Sequence, residues 1–113
     1  MEMNYSVQDN SIRLIKLSGK FDIIGTGAIE TKFTGYCAVD QAHVIVDLSD
    51  VDFLASIGIR LLIMTAKSIT SRGGKMVLLK PIPDVKGVLE ITGIPTIIPI
   101  YDDTESAEAA LLA

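Results

Sequence analysis

Apolar and polar residues alternate at the start of the chain. Met3, Tyr5 and Val7 fall on one side of an extended segment, the mark of a half-buried strand. Asp9-Asn10-Ser11 reads as a turn, and Ile12–Leu17 as a second strand, so the first pair is expected to be an antiparallel hairpin ended by Ser18-Gly19. Lys20-Phe21-Asp22 then leads out of the sheet, and Gly25-Thr26-Gly27 is expected to break the chain before a helix whose apolar face is Ile29, Phe33 and Tyr36 or Cys37. From residue 44 the pattern is continuous: Val44, Ile45 and Val46 suit a strand covered on both faces. That central strand is expected over Val44–Leu48, and of the acidic patch Asp47, Asp50 and Asp52 the latter two fall in a tight loop after it; a long helix follows, starting near Ile57 and carrying Ile59, Leu61, Leu62, Ile63, Met64, Ala66 and Ile69.

Arg72-Gly73-Gly74 supplies the stop for that helix. Lys75–Leu79 is the next strand, and Pro81-Ile82-Pro83-Asp84 begins a short helix with Val85, Val88 and Leu89 on one face, closed by Gly93. Thr96–Tyr101 is expected as the last strand, with Pro99 restricting it to an edge or an end. Asp102 and Glu105 have the spacing of a capping box before a final helix bearing Ala107, Ala110 and Leu111. The order ββαβαβαβα predicts an α/β fold: a mixed, mainly parallel sheet of about five strands with four helices, in one domain over residues 1–113.

Composition narrows the function classes. The 113 residues are 49% apolar, enough for a core, and the formal charge of −4 with scattered basic residues speaks against nucleic acid and anionic membranes as partners. Cys37 is the only cysteine, so no intramolecular disulfide can form, which suits a reducing cytosol. The N-terminal residues lack the pattern of a signal peptide, and no apolar run reaches the ~20 residues of a membrane span. A cytoplasmic location without membrane insertion is the expectation.

Most motif candidates fail. Gly25-Thr26-Gly27-Ala28-Ile29-Glu30 mimics a dinucleotide fingerprint, but Glu30 stands where a small residue is needed. Gly73-Gly74-Lys75-Met76 precedes a strand and lacks the Ser or Thr of a phosphate loop. His43 is the only histidine, so no transition-metal site is expected, and the three aspartates lack the ligand density of a calcium loop. No catalytic set and no cofactor are expected. Ser56 remains, at the expected N-cap of the long helix. It is either a cap, worth ~1 kcal/mol, or a phosphorylation switch, since a phosphoryl group is tolerated at a helix start. Gly58, just inside the helix, either packs closely on a strand or lets a partner approach.

Val46-Asp47-Leu48-Ser49-Asp50-Val51-Asp52-Phe53-Leu54-Ala55-Ser56-Ile57-Gly58-Ile59-Arg60-Leu61-Leu62 resembles the strand–loop–helix motif of anti-sigma factor antagonists of the STAS domain family, the stage II sporulation protein AA-like fold. Leu17–Asp22, Gly73–Leu78 and Leu89–Ile94 resemble further family segments, so the likeness runs from Met3 to Leu112. It implies a binding module that is not an enzyme. Unphosphorylated, it would bind an anti-sigma factor that is a serine kinase and so free a sigma factor; phosphorylation of Ser56 would switch it off and a phosphatase would restore it. It further implies a partner-binding region of Asp22, Ser56, Ile57, Gly58, Ile59 and Arg60, and weak nucleotide binding as in some relatives. Ala55 stands where sporulation-type antagonists often have aspartate, and Ile57 where they often have Ser or Ala. The alternative is a non-switching STAS scaffold or regulatory subunit, for example of a lipid transporter, in which Ser56 is only a cap. A small nucleotide-hydrolysing enzyme is a third possibility, and no base positioned to activate Ser56 is evident.

Overall fold

The computed structural model describes residues 1–113. The elements are β1 (Glu2–Val7), β2 (Arg13–Phe21), α1 (Ile23–Cys37), β3 (His43–Leu54), α2 (Ser56–Ser71), β4 (Lys75–Leu79), α3 (Pro83–Ile91), a 3-10 turn over Ile94–Thr96, β5 (Ile100–Tyr101) and α4 (Thr104–Leu112). They build one five-stranded sheet in the order β1-β2-β3-β4-β5. β1 runs antiparallel to β2, with Met3 opposite Leu17 and Tyr5 opposite Ile15; the remaining pairs are parallel. The expected order of strands and helices and the mixed, mainly parallel sheet are both observed.

Strand alternation sorts the core into two layers. Val44, Val46 and Leu48 face one side with Ile15, Leu17, Met76 and Leu78, and there they meet α1, α2 and α3 through Phe33, Leu62, Ile69, Val85 and Leu89. Ile45, Val77 and Leu79 face the other side and meet Ala107 and Leu111 of α4. Each crossover from β2 to β5 steps to the next strand in the same direction, so crossovers of one hand put all three connecting helices on one face. Only α4 is left to cover the other. β3 is therefore buried on both faces, as its unbroken apolar run requires. The Tyr5 and Tyr36 rings stack at 3.8 Å and tie the end of α1 to β1.

Several boundaries differ from those expected. β2 does not stop at Ser18-Gly19. Gly19 adopts φ +104°, open to glycine, and the ladder shifts register between Lys16 and Ser18 and again between Gly19 and Lys20. Those irregularities let β2 and β3 run on together to Phe21 and Leu54. β3 therefore runs on past its expected end at Leu48, and Asp50 and Asp52 are strand, not loop. Asp50 pairs with Lys16 on β2 at 3.2 Å, and Asp47 Oδ1 accepts the Ser49 N–H at 2.9 Å.

Gly25-Thr26-Gly27 lies inside α1 and does not precede it, because Asp22 starts the helix by accepting the Gly25 N–H at 2.8 Å. Gly25 is needed there: a Cβ would lie 2.1 Å from the Lys20 carbonyl oxygen. The last strand is shorter than expected, because the 3-10 turn takes Thr96 and Pro99 stands before the strand. The Pro99 carbonyl still accepts the Leu78 N–H at 2.9 Å. At α4 the cap is Asp103, bonded to the Ser106 N–H at 2.7 Å, while Asp102 turns to Lys86 at 3.5 Å.

Candidate functional site

β2 and β3 end side by side, and α1 and α2 begin there. The Ala55 N–H donates to the Phe21 carbonyl at 2.9 Å. That bond joins the two strand exits, so the residues that follow, Asp22 and Ser56, belong to one surface at the start of two neighbouring helices.

Ser56 is not the N-cap. The cap residue of α2 is Ala55, whose side chain offers no acceptor, and Ser56 is the first helical residue. Without a side-chain acceptor, the helix closes its first turn on itself: the Gly58 and Ile59 N–H groups both donate to the Ala55 carbonyl, at 3.0 and 3.2 Å. The Ser56 hydroxyl is exposed and is not committed to capping. Asp22 is half-buried and does hold a cap, for α1.

Gly58 is buried under the Phe21 ring. A Cβ on it would stand 2.8 Å from both Cγ and Cδ1 of Phe21 and 3.1 Å from Cδ1 of Leu54. Close packing against the strand ends therefore accounts for this glycine. Ile59 is buried as well and belongs to the main core. Of the residues assigned by resemblance to the binding region, Ser56, Ile57 and Arg60 present side chains to solvent, Asp22 does so in part, and Gly58 and Ile59 set the position of the helix from beneath.

At this end of the fold and along α2, apolar side chains beyond the expected Ile57 are exposed. Ile23 and Ile24 at the start of α1 are 73% and 83% exposed, Phe53 at the end of β3 50%, and Met64 on α2 57%. Ile57 adds a partly exposed side chain. With α1 taken to begin only after Gly27, the two isoleucines had no helical register. At about 100° per residue they lie roughly 120–140° from Ile29, well off the buried face.

Between α1 and α2 runs a groove of about 300 Å³, lined by Thr26, Glu30, Ile57, Arg60, Leu61 and Met64. The Thr26 hydroxyl at its side is buried without a hydrogen-bond partner. Glu30 and Arg60 stand exposed at the rim, and all three ion pairs of the chain lie elsewhere, between Lys16 and Asp50, Arg72 and Asp40, and Lys86 and Asp102.

Other candidates are placed away from this surface. His43 begins β3, at the opposite end of that strand from Ser56. No group of three or more His, Cys, Asp and Glu residues is placed to hold a metal ion. Cys37 is buried on the core face of α1, and burial pushes its thiol up to about 12 against a smaller opposing effect of Arg13. It behaves as a small apolar side chain. No helix is long and apolar enough to cross a membrane.

Comparison with known proteins adds four findings. The family model for the STAS domain matches residues 5–107. The chain is 29% identical over 94 residues to the putative anti-sigma factor antagonist BtrV of Bordetella bronchiseptica, covering 83% of this chain and 81% of that one. Its fold is similar to an anti-sigma-factor antagonist (STAS) domain protein from Planctomyces limnophilus, with a TM-score of 0.87 at 22% identity over 98% of each chain. It is also similar to the Bacillus cell fate determinant SpoIIAA in its phosphorylated form, with a TM-score of 0.71 at 19% identity, covering 96% of this chain and 99% of that one.

Proposed function

The chain belongs to the STAS domain family, and from that premise we propose that it is an anti-sigma factor antagonist switched at Ser56. Unphosphorylated, it docks on an anti-sigma factor and releases the sigma factor held there. The anti-sigma factor, a serine kinase, then transfers a phosphoryl group from ATP to Ser56. The bond from Ser56 Oγ to phosphorus forms, the bond from the γ-phosphorus to the β-phosphate oxygen breaks, and the hydroxyl proton passes to a base of the kinase. ADP leaves, and a phosphatase later restores the hydroxyl. The chain is substrate and binding module in this cycle, working in the cytoplasm, and supplies no catalytic group.

The observation that carries this reading is the setting of Ser56: an exposed hydroxyl with no capping duty, next to Ile57 and at the end of the fold where Ile23, Ile24 and Phe53 are also exposed. Apolar side chains clustered in this way favour a protein partner. A phosphoryl group placed among them adds about 1.5 to 2 negative charges that docking would have to desolvate. Charges trapped without partners in an interface cost ~2–5 kcal/mol, enough to weaken binding about 30-fold or more. Asp22, half-buried beside Ser56, adds a like charge to the same surface.

The test is binding of the purified chain to the anti-sigma kinases of its own cell, with ADP and with ATP, beside the Ser56→Ala variant. The expected result is tight binding of both proteins with ADP. With ATP the wild type alone gains one phosphate by intact mass and alone is released. Absence of phosphate on the wild type, together with retained binding to a transporter subunit, would replace this reading by the scaffold one.

A further inference from the structure

Arg60 is the fourth residue after Ser56 on α2, so the two side chains share one helix face a turn apart. Helical side chains lean toward the N-terminus, over the preceding turn, which carries Arg60 back toward Ser56. Both residues are exposed, and Arg60 has no ion pair in the unphosphorylated chain. The order is also the favourable one, with the anion N-terminal to the cation at this spacing. A guanidinium can meet two phosphate oxygens with a planar pair of N–H donors. We propose that Arg60 is the intramolecular holder of the phosphoryl group on Ser56. It rests in the groove between α1 and α2 while the serine is free and folds back onto the phosphate once it is added. This inference rests on phosphorylation of Ser56 and goes beyond it by assigning a residue that positions the phosphate.

The groups around Arg60 define what competes. Glu30 of α1 lines the same groove, Asp22 stands at the start of α1, and Asp52 lies near the end of β3. All three are carboxylates. Glu30 is the one placed to attract the guanidinium before modification, and the other two raise the cost of a bare dianion at Ser56. Arg60 therefore does more than offset charge. By leaving the groove rim it takes one cation away from the docking surface, where Lys20 at the end of β2 stays exposed, so the phosphate changes the surface in two ways at once.

The test does not depend on any kinase. Phosphoserine is installed at position 56 during translation, and the phosphate is titrated by phosphorus NMR in wild type, Arg60→Gln, Arg60→Lys and Lys67→Gln. The helix N-terminus acts on the phosphate equally in all four and cancels. Arg60→Gln should raise the midpoint of the second phosphate ionisation by about 0.2 to 0.4 pH, the size expected when an exposed pair at this spacing acts on the one charge gained in that step. Arg60→Lys should keep part of the effect, and Lys67→Gln, further along the exposed side of α2, should leave the midpoint unchanged. Equal midpoints in the wild type and Arg60→Gln would overturn the proposal. That failure would be distinct from failure of the switch itself, which would show as an unphosphorylated serine in the cell while the installed phosphate still titrates with Arg60.

Discussion

Replacing Gly58 by alanine tests how the site is held. Two effects oppose each other. In a solvent-exposed helix interior the change would stabilise by ~1 kcal/mol, because alanine loses less backbone entropy. Here the new methyl lies 2.8 Å from the Cγ and Cδ1 atoms of Phe21 and 3.1 Å from Leu54 Cδ1. Cγ sits at the root of the ring, so a rotamer adjustment does not relieve the clash and the whole ring or the start of α2 has to move. Phe21 is fully buried, so its ring can move only by displacing its core neighbours. Overpacking of this kind costs about 1–3 kcal/mol, and the root contact argues for the upper end. The expected net result is a loss of roughly 1–2 kcal/mol, or about 4–10 °C in Tm for a chain of this size.

Gly87 is the matched comparison. It also lies in a helix, and a Cβ there meets nothing within 4 Å, so Gly87→Ala should stabilise by about 0.5–1 kcal/mol. Urea unfolding followed by circular dichroism measures both variants against wild type. If Gly58→Ala is as stable as Gly87→Ala, Phe21 does not lock the helix start and the packing argument for this glycine is wrong. The same substitution should weaken partner binding, because moving Phe21 disturbs the bond from the Ala55 N–H to the Phe21 carbonyl that holds the two helix starts together.

Three further outcomes are expected. Asp22→Ala should cost ~1 kcal/mol by removing the cap of α1, whereas Asp22→Asn keeps an acceptor for the Gly25 N–H and should lose much less by urea titration. Ile24→Ser should change stability by less than about 0.5 kcal/mol, since the side chain is exposed, yet weaken anti-sigma factor binding about tenfold or more in a titration, as expected for an apolar anchor; undiminished binding would remove α1 from the docking surface. Cys37 has a folded-state pKa of about 12 against 9.0 unfolded, so its contribution is intact below pH 9 and is lost as pH rises toward 12, where the unfolded chain gives up its proton first. Unfolding free energy should therefore fall above pH 9 by at most ~1.4 kcal/mol per pH unit, and Cys37→Ala should remove that slope despite its own cavity cost.

The sequence carried the fold well where burial is two-sided or strictly periodic. Val44–Val46 and the apolar positions of α2 and α3 needed no tertiary information. It failed where a local signal was overruled by a neighbour. Ser18-Gly19 looks like a strand end, but β3 continues alongside and holds β2 in the sheet through two shifts of register. The aspartates at 50 and 52 look like a loop because acidic residues disfavour strands, yet Lys16 across the ladder makes Asp50 acceptable there. Gly25 and Gly27 suggest a helix breaker, and the reason Gly25 is tolerated, its approach to the Lys20 carbonyl, is a tertiary contact. With the helix expected to start only after Gly27, Ile23 and Ile24, two of the five exposed apolar side chains of this surface, have no helical register in the sequence. Ser56 stands out as the expected N-cap of the long helix before motif likeness adds to it, and its position in the helix is off by one residue.

That one residue matters for how a switch is built. A serine at the N-cap accepts a hydrogen bond from the first turn, worth ~1 kcal/mol, and phosphorylating it would rebuild that bond and so tie the modification to the stability of the helix. At the first helical position the hydroxyl holds nothing, so a phosphoryl group can be added and removed without unsettling α2. The stability that a cap would have supplied comes instead from beneath, from the tether between Ala55 and Phe21 and from the Phe21 ring seated on Gly58. Neither involves an atom of Ser56. The arrangement separates what fixes the helix from what is modified, so that the phosphate's full effect falls on the exposed surface where the partner docks. It follows that Ser56→Ala should leave unfolding free energy within about 0.5 kcal/mol of wild type. A loss of ~1 kcal/mol or more in urea titration would return Ser56 to the role of a cap and make its modification a folding event, not a binding one.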